Sequence, residues 1–118
     1  MTPDLGRQGR DAAYRFADHH VDSFAAWDLL VFLHHRPETV EAASGFATLL
    51  GRKPDDLVVA LDHLTSTGAV RVAVDDEARR YRLSDDARLR EDLGAFVELC
   101  SIKECRLEIV RKVLASYT

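Results

Sequence analysis

Cysteine, proline, long apolar runs and surplus positive charge are all scarce in this chain, and each scarcity excludes something. Two cysteines in 118 residues cannot frame a disulfide-rich secreted scaffold. Cys100 and Cys105 stand five positions apart, which is neither a zinc-knuckle nor a redox spacing. On one continuous helix they would lie about 7.5 Å apart along the axis and on different faces, which disfavours an internal bridge. Two buried or half-buried thiols are expected, with a bridge between two copies as the alternative. Three prolines beside 47% hydrophobic and 31% charged residues describe a folded chain rather than a disordered one. The apolar run Leu29 to Leu33, which no other exceeds, falls far short of the roughly 20 residues that cross a bilayer. The opening MTPDLGRQGR lacks the hydrophobic centre of a signal peptide. Residues 1–10 are therefore expected to be a flexible leader, and the protein cytoplasmic, with no membrane partner.

Basic charge is also in deficit: 16 Lys and Arg against 20 Asp and Glu leave a net charge of −4. A dedicated nucleic-acid binder usually carries the opposite balance. The marks of catalysis are missing too. Gly6 and Gly9 sit in the leader rather than between a strand and a helix, so no phosphate loop forms. His19-His20 and His34-His35 point about 100° apart on a helix and cannot close on one metal, and His63 has no ligand motif around it. They are expected to be surface or helix-end histidines. No enzyme, metal or cofactor is expected.

What is present is periodicity. A chain of this length makes one domain, and its apolar spacing yields a series of helices and one hairpin. Gln8 to His20 is a first helix with Ala13, Phe16 and Ala17 on one side. Asp22 or Ser23 offers the next N-cap, and Phe24 to Leu33 is apolar nearly all round, a buried central helix that ends at Arg36-Pro37. Thr39 can cap a third helix with Val40, Ala43, Ala47 and Leu50 on its stripe and Gly51 as its stop. Pro54 opens a fourth helix, where its missing N–H costs nothing. Leu57, Ala60, Leu61 and Leu64 mark its inner face and Gly68 its end. The period then becomes two: Val70, Val72 and Val74, then Tyr81 and Leu83, predict a β-hairpin with an apolar face and an arginine face. Ser84, before Asp85 and Asp86, is the expected cap of a last helical segment, residues 85–118. Unbroken it would reach about 50 Å; the alternative is a bend near Ser101 that folds it back on the N-terminal helix.

Leu57, Leu61, Leu64, Gly68, Ala69 and Val70 form an L-x-x-L-x-x-x-G-hydrophobic pattern between a helix and a hairpin. In this setting the pattern resembles the winged helix-turn-helix superfamily, and MarR-like bacterial transcriptional regulators within it. The resemblance covers roughly residues 23 to 84. It implies a mostly α fold with a small β-hairpin (α+β), a winged helix-turn-helix domain over residues 11–84, and long flanking N- and C-terminal helices used for dimerisation. Ile109, Val110, Val113, Leu114 and Tyr117 would line the contact between two copies.

Two functions compete. As a regulator, the chain would bind double-stranded DNA as a dimer through Arg52, Lys53, Thr65 and the hairpin arginines Arg71, Arg79, Arg80 and Arg82. The outward face of the fourth helix argues otherwise, because Asp55, Asp56, Val58, Val59, Asp62 and His63 offer no phosphate contact and repel a polyanion. As a protein-interaction adaptor, the chain would instead present Asp55, Val58, Val59 and Asp62 to a basic protein partner.

Overall fold

A computed structural model describes residues 6–117. The described residues are mostly helical, with one two-stranded antiparallel sheet, an α+β arrangement. Helix α1, Arg7–His20, turns Ala13, Phe16, Ala17 and His20 inward at helical spacing. Residues 7–10, expected in the leader, already belong to it. Helix α2, Phe24–His35, begins where the Ser23 hydroxyl accepts the Ala26 N–H at 3.1 Å. Its Leu29, Leu30 and Leu33 are completely buried, so α2 is the central helix that its composition predicts.

Helix α3, Ala43–Leu50, starts later than expected, and Thr39 does not cap it. The segment before it is taken by strand pairing instead. The Glu41 N–H donates to the Tyr81 carbonyl at 3.2 Å and the Tyr81 N–H donates back at 2.8 Å. A short-range capping signal has lost to a long-range bridge within the chain, and Val40 is left exposed. Gly51 and Gly68 end α3 and α4 with φ of 65° and 88°, a left-handed turn that other residues enter at a cost. Helix α4, Pro54–Thr67, buries Leu57, Ala60, Leu61 and Leu64, the expected face.

Strands β1, Val70–Asp75, and β2, Ala78–Leu83, pair with Val70 opposite Leu83 and Asp75 opposite Ala78. Asp76 and Glu77 form the turn, both at positive φ (48° and 68°), as a two-residue hairpin with right-handed strand twist requires. Neither residue is glycine, so the tip holds local strain. Helix α5, Ala87–Leu99, is capped by Asp86, whose carboxylate accepts the Arg88 N–H at 2.9 Å. Ser84, the expected cap, is buried and accepts the Asp86 N–H instead.

The last helical segment is broken. At its end the Ser101 N–H and hydroxyl both donate to the Glu98 carbonyl, at 3.1 and 2.6 Å, and the Ile102 N–H donates to Leu99. The turn tightens and the helix stops. Helix α6, Lys103–Ser116, then folds back along α1. Lys112 reaches Asp18 at 2.8 Å, the Ser116 hydroxyl donates to the Asp22 carbonyl at 2.8 Å, and the Phe24 N–H donates to the Tyr117 hydroxyl at 3.1 Å. Ile109 and Val113, expected between two copies, are core residues of their own chain, each 1% exposed. Among the described residues no helix is long and apolar enough to cross a membrane.

The helices meet at Phe96. Its ring lies 5.5 Å from that of Phe16 in α1 and 5.9 Å from that of Trp27 in α2. Phe96→Ala should lower the unfolding free energy by about 3–5 kcal/mol, read as a shift in urea midpoint at unchanged slope. Glu77→Gly should raise it by about 0.5–1 kcal/mol, because glycine accepts the left-handed turn without strain.

Candidate functional site

Two surfaces carry the chemistry that the sequence singles out. The first is the hairpin, exposed throughout residues 71–80. The core claims only its base, at Val70, Tyr81 and Leu83, whereas Val72 and Val74 of the expected apolar face are 39% and 69% exposed. Register puts Arg71 beside Arg82 and Ala73 beside Arg80 on one face, and Arg79 beside Val74 on the other. Most of the hairpin therefore stands clear of the body with both faces in solvent.

The seven residues expected to meet DNA do not form one surface. Arg52 is held against α2 by Asp28, through Nη2 at 2.6 Å and Nε at 2.7 Å. The Thr65 hydroxyl donates to the Leu61 carbonyl one turn back, at 2.7 Å. Arg82 pairs with Asp85 at 2.8 Å, and the hydrogen bond from its guanidinium holds the Asp85 carboxyl below the usual carboxylate range. Arg90 completes that corner, donating to the Ser84 carbonyl at 2.8 Å and lying 3.4 Å from Asp85. These three residues are fastened to their own chain. Lys53, Arg71, Arg79 and Arg80 remain exposed, and among the described residues none has a carboxylate within ion-pair distance.

The second surface is the outer face of α4. Asp55, Asp56 and Asp62 are exposed there with Val58 and Val59, and no ion pair neutralises the three acids among the described residues. Asp55 and Asp56 suit the positive end of the helix dipole. Asp62 lies two turns on and has no such reason. A groove of about 250 Å³ beside this face is lined by Ser23, Ala25, Arg52, Asp56, Val59 and Tyr117. His63, expected to point outward with them, is turned toward the end of α1. Its Nδ1 lies 3.4 Å from an Asp22 carboxylate oxygen, and its Nε2 lies 3.1 Å from the His20 carbonyl.

His20 is the residue that the sequence reading misplaces. It does end α1, but it is a buried side chain rather than a surface one, with Nδ1 2.7 Å from the Thr67 hydroxyl of α4. Its spacing after Phe16 and Ala17 continues the buried stripe and was the available signal. Burial, aided by the neighbouring His19 and His63, pushes its pKa down to about 4.

The cysteines are free. Burial pushes the Cys100 thiol up to about 12, so it carries no thiolate at neutral pH. Cys105 is buried, and its hydrogen bond with Tyr14 is the main reason the tyrosine is pushed up to about 12. Among the described residues no group of three or more His, Cys, Asp or Glu is placed to hold a metal ion. No family model, curated protein or solved structure matches the chain. Any functional reading therefore rests on the residues themselves.

His20 generates a pH dependence. Its pKa is depressed from 6.5 to about 4 in the folded chain, so the unfolded chain binds the proton first. The stability it contributes is complete above about pH 6.5 and is lost as pH falls toward 4, by up to about 1.4 kcal/mol per pH unit. His20→Leu should flatten the stability profile within that window relative to the parent, followed by thermal unfolding across a pH series.

Proposed function

We propose that this chain is a bacterial regulator-type winged-helix protein that holds duplex DNA by its phosphate backbone, through the hairpin rather than by base reading with α4. The observation that carries the proposal is the hairpin, which leaves the core after Val70 and presents Arg71, Arg79 and Arg80 with no ion pair among the described residues. A short exposed ribbon contributes little to the fold beyond its base, while three exposed guanidinium groups suit phosphates. The element order supports the reading: α2, the Glu41–Tyr81 bridge, α3, α4 and the hairpin follow one another as in a winged helix. Lys53, at the start of α4, adds a fourth cation near that helix N-terminus. The role is binding, not catalysis, and its place is the cytoplasm.

Such a protein would act as a dimer, and α6 has an outward stripe for the purpose. With Ile109 and Val113 turned inward, Leu107, Val110, Leu114 and Tyr117 recur along the opposite side, and Leu107, Leu114 and Tyr117 are 44%, 51% and 58% exposed. A second copy covering this stripe would remove apolar surface from water without involving the hairpin.

A second reading draws on one particular observation, the uncompensated Asp55, Asp56 and Asp62 around Val58 and Val59. On that reading α4 receives a basic protein partner, and Val59→Lys abolishes the interaction while sparing the fold.

Titration against labelled random duplex DNA, followed by fluorescence anisotropy at several salt concentrations, tests the first reading. Four phosphate contacts per copy give a slope of about −3.6 in log affinity against log salt. Arg71→Ala with Arg80→Ala should reduce that slope by about 1.8 and weaken binding at least tenfold. Absence of binding at the lowest salt would overturn the DNA reading. Independently, Leu114→Lys should convert a dimer into a monomer in sedimentation at near-physiological salt.

A further inference from the structure

The uncompensated charges on the two surfaces match each other in order as well as in sign. Along α4 from its N-terminus run a cation, Lys53, then the acids Asp55 and Asp56, then Asp62. Along the hairpin from its tip run the acids Asp75, Asp76 and Glu77, then Arg79 and Arg80, then Arg71 near the base. One sequence reads plus, minus, minus; the other reads minus, plus, plus. The spacing is comparable. Asp62 lies about 10 Å along the helix from Asp55 and Asp56, and on one face of the ribbon Arg71 lies about 7 Å from Arg80. Arg71 and Arg80 share one face of the ribbon with Ala73, and the exposed Val72 and Val74 lie on the other with Arg79.

Within one chain the two surfaces do not meet. The hairpin starts beyond Gly68 at the far end of α4, and no ion pair joins them among the described residues. Elsewhere the chain pairs charges that come within reach, as at Arg52–Asp28, Arg82–Asp85 and Lys112–Asp18. We propose that the hairpin of one copy lies along the outer face of α4 of a second copy, tip toward Lys53, and that the second copy returns the contact. A reciprocal contact of this kind is related by a two-fold axis, so the pair closes on itself instead of growing into a filament. The face of α4 then stands in for a polyanion. If the DNA reading above holds, pairing and DNA compete for Arg71, Arg79 and Arg80, and the pair is a closed form of the regulator.

The contact is ionic and solvent-exposed, so salt weakens it, whereas an apolar contact through α6 persists. The test is sedimentation velocity of the full chain, without DNA, at about 50 mM and about 500 mM salt, where the Debye length falls from over 10 Å to under 5 Å. Three proteins are compared: the parent; an α4 variant with Asp55→Lys, Asp56→Lys and Asp62→Lys; and a hairpin variant with Arg71→Glu, Arg79→Glu and Arg80→Glu. The parent should gain mass at low salt over its high-salt value. Each variant alone should lose at least tenfold in that low-salt association, since like charges then face each other in both contacts. An equimolar mixture should associate as the parent does, because one contact of the mixed pair is parental and the other is reversed on both sides. Circular dichroism confirms that each variant is folded; if a reversal unfolds the chain, Asn for the three aspartates and Gln for the three arginines replace it, with the same tenfold loss expected of each alone. A parent with one salt-independent mass overturns the proposal. So does a low-salt association that survives either set of substitutions, or a mixture of reversed variants that associates no better than its parts. Since no DNA is in the cell, failure here leaves the anisotropy result to judge the DNA reading separately.

Discussion

The fold depends on one buried ring. Phe96, fully enclosed in α5, touches Phe16 of α1 and Trp27 of α2, and Trp27 in turn stacks on Phe24 at 6.2 Å. The consecutive helices α1 and α2 are thereby fixed against the distant α5. Close packing makes the junction unforgiving, because a ring of that volume leaves a hole that stiff neighbours cannot fill. Around it Leu29, Leu30 and Leu33 of α2, Leu57, Leu61 and Leu64 of α4, and Leu93 and Leu99 of α5 complete a single core. From that core α4 presents its outer face at a fixed angle, and the hairpin is anchored at Val70, Tyr81 and Leu83 and nowhere further out.

Charge divides into two populations. One fastens elements together: Arg52 with Asp28 joins the start of α4 to α2, Lys112 with Asp18 joins α6 to α1, and Arg82, Asp85 and Arg90 brace the base of the hairpin against α5. Exposed pairs of this kind contribute little stability each, commonly under about 1 kcal/mol, yet they decide which cations stay available. The other population stands on the hairpin and on α4 with no ion pair among the described residues. A net charge of −4 hides this division, because sums ignore position.

Much of the architecture was legible in the sequence because its signals are local. Proline and glycine bracket α4, apolar spacing fixes its inner face, and the change from helical period to alternation marks the hairpin. What escaped was whatever depends on a distant partner. Thr39 looks like a cap, but the strand bridge from Glu41 to Tyr81 displaces it, whereas Ser84 loses that role locally, to Asp86 two residues on. Arg52 looks like a free cation, and its Asp28 partner lies 24 residues away. The bend at Ser101 was foreseen as one of two outcomes, and it moves Ile109 and Val113 from a contact between copies into their own core. For the two surfaces, the sequence supplies candidates, and the structure separates the tethered Arg52, Thr65 and Arg82 from Lys53, Arg71, Arg79 and Arg80, which have no ion pair among the described residues.

The folding back of α6 has a consequence for how the molecule comes to exist. Asp18 and Asp22, at the end of α1, meet Lys112 and Ser116, each 94 residues further along. The first amide of α2 is satisfied by the Tyr117 hydroxyl, 93 residues on. A ribosome releases these partners long after α1. Until α5 and α6 emerge, the inner side of α1 with Phe16 has neither Phe96 nor the core residues of α6 to cover it, and closing so wide a loop is slow. The nascent chain must therefore carry the apolar stripe of α1, Ala13, Phe16 and Ala17, without its final cover until those helices appear, a stretch during which a chaperone has something to hold.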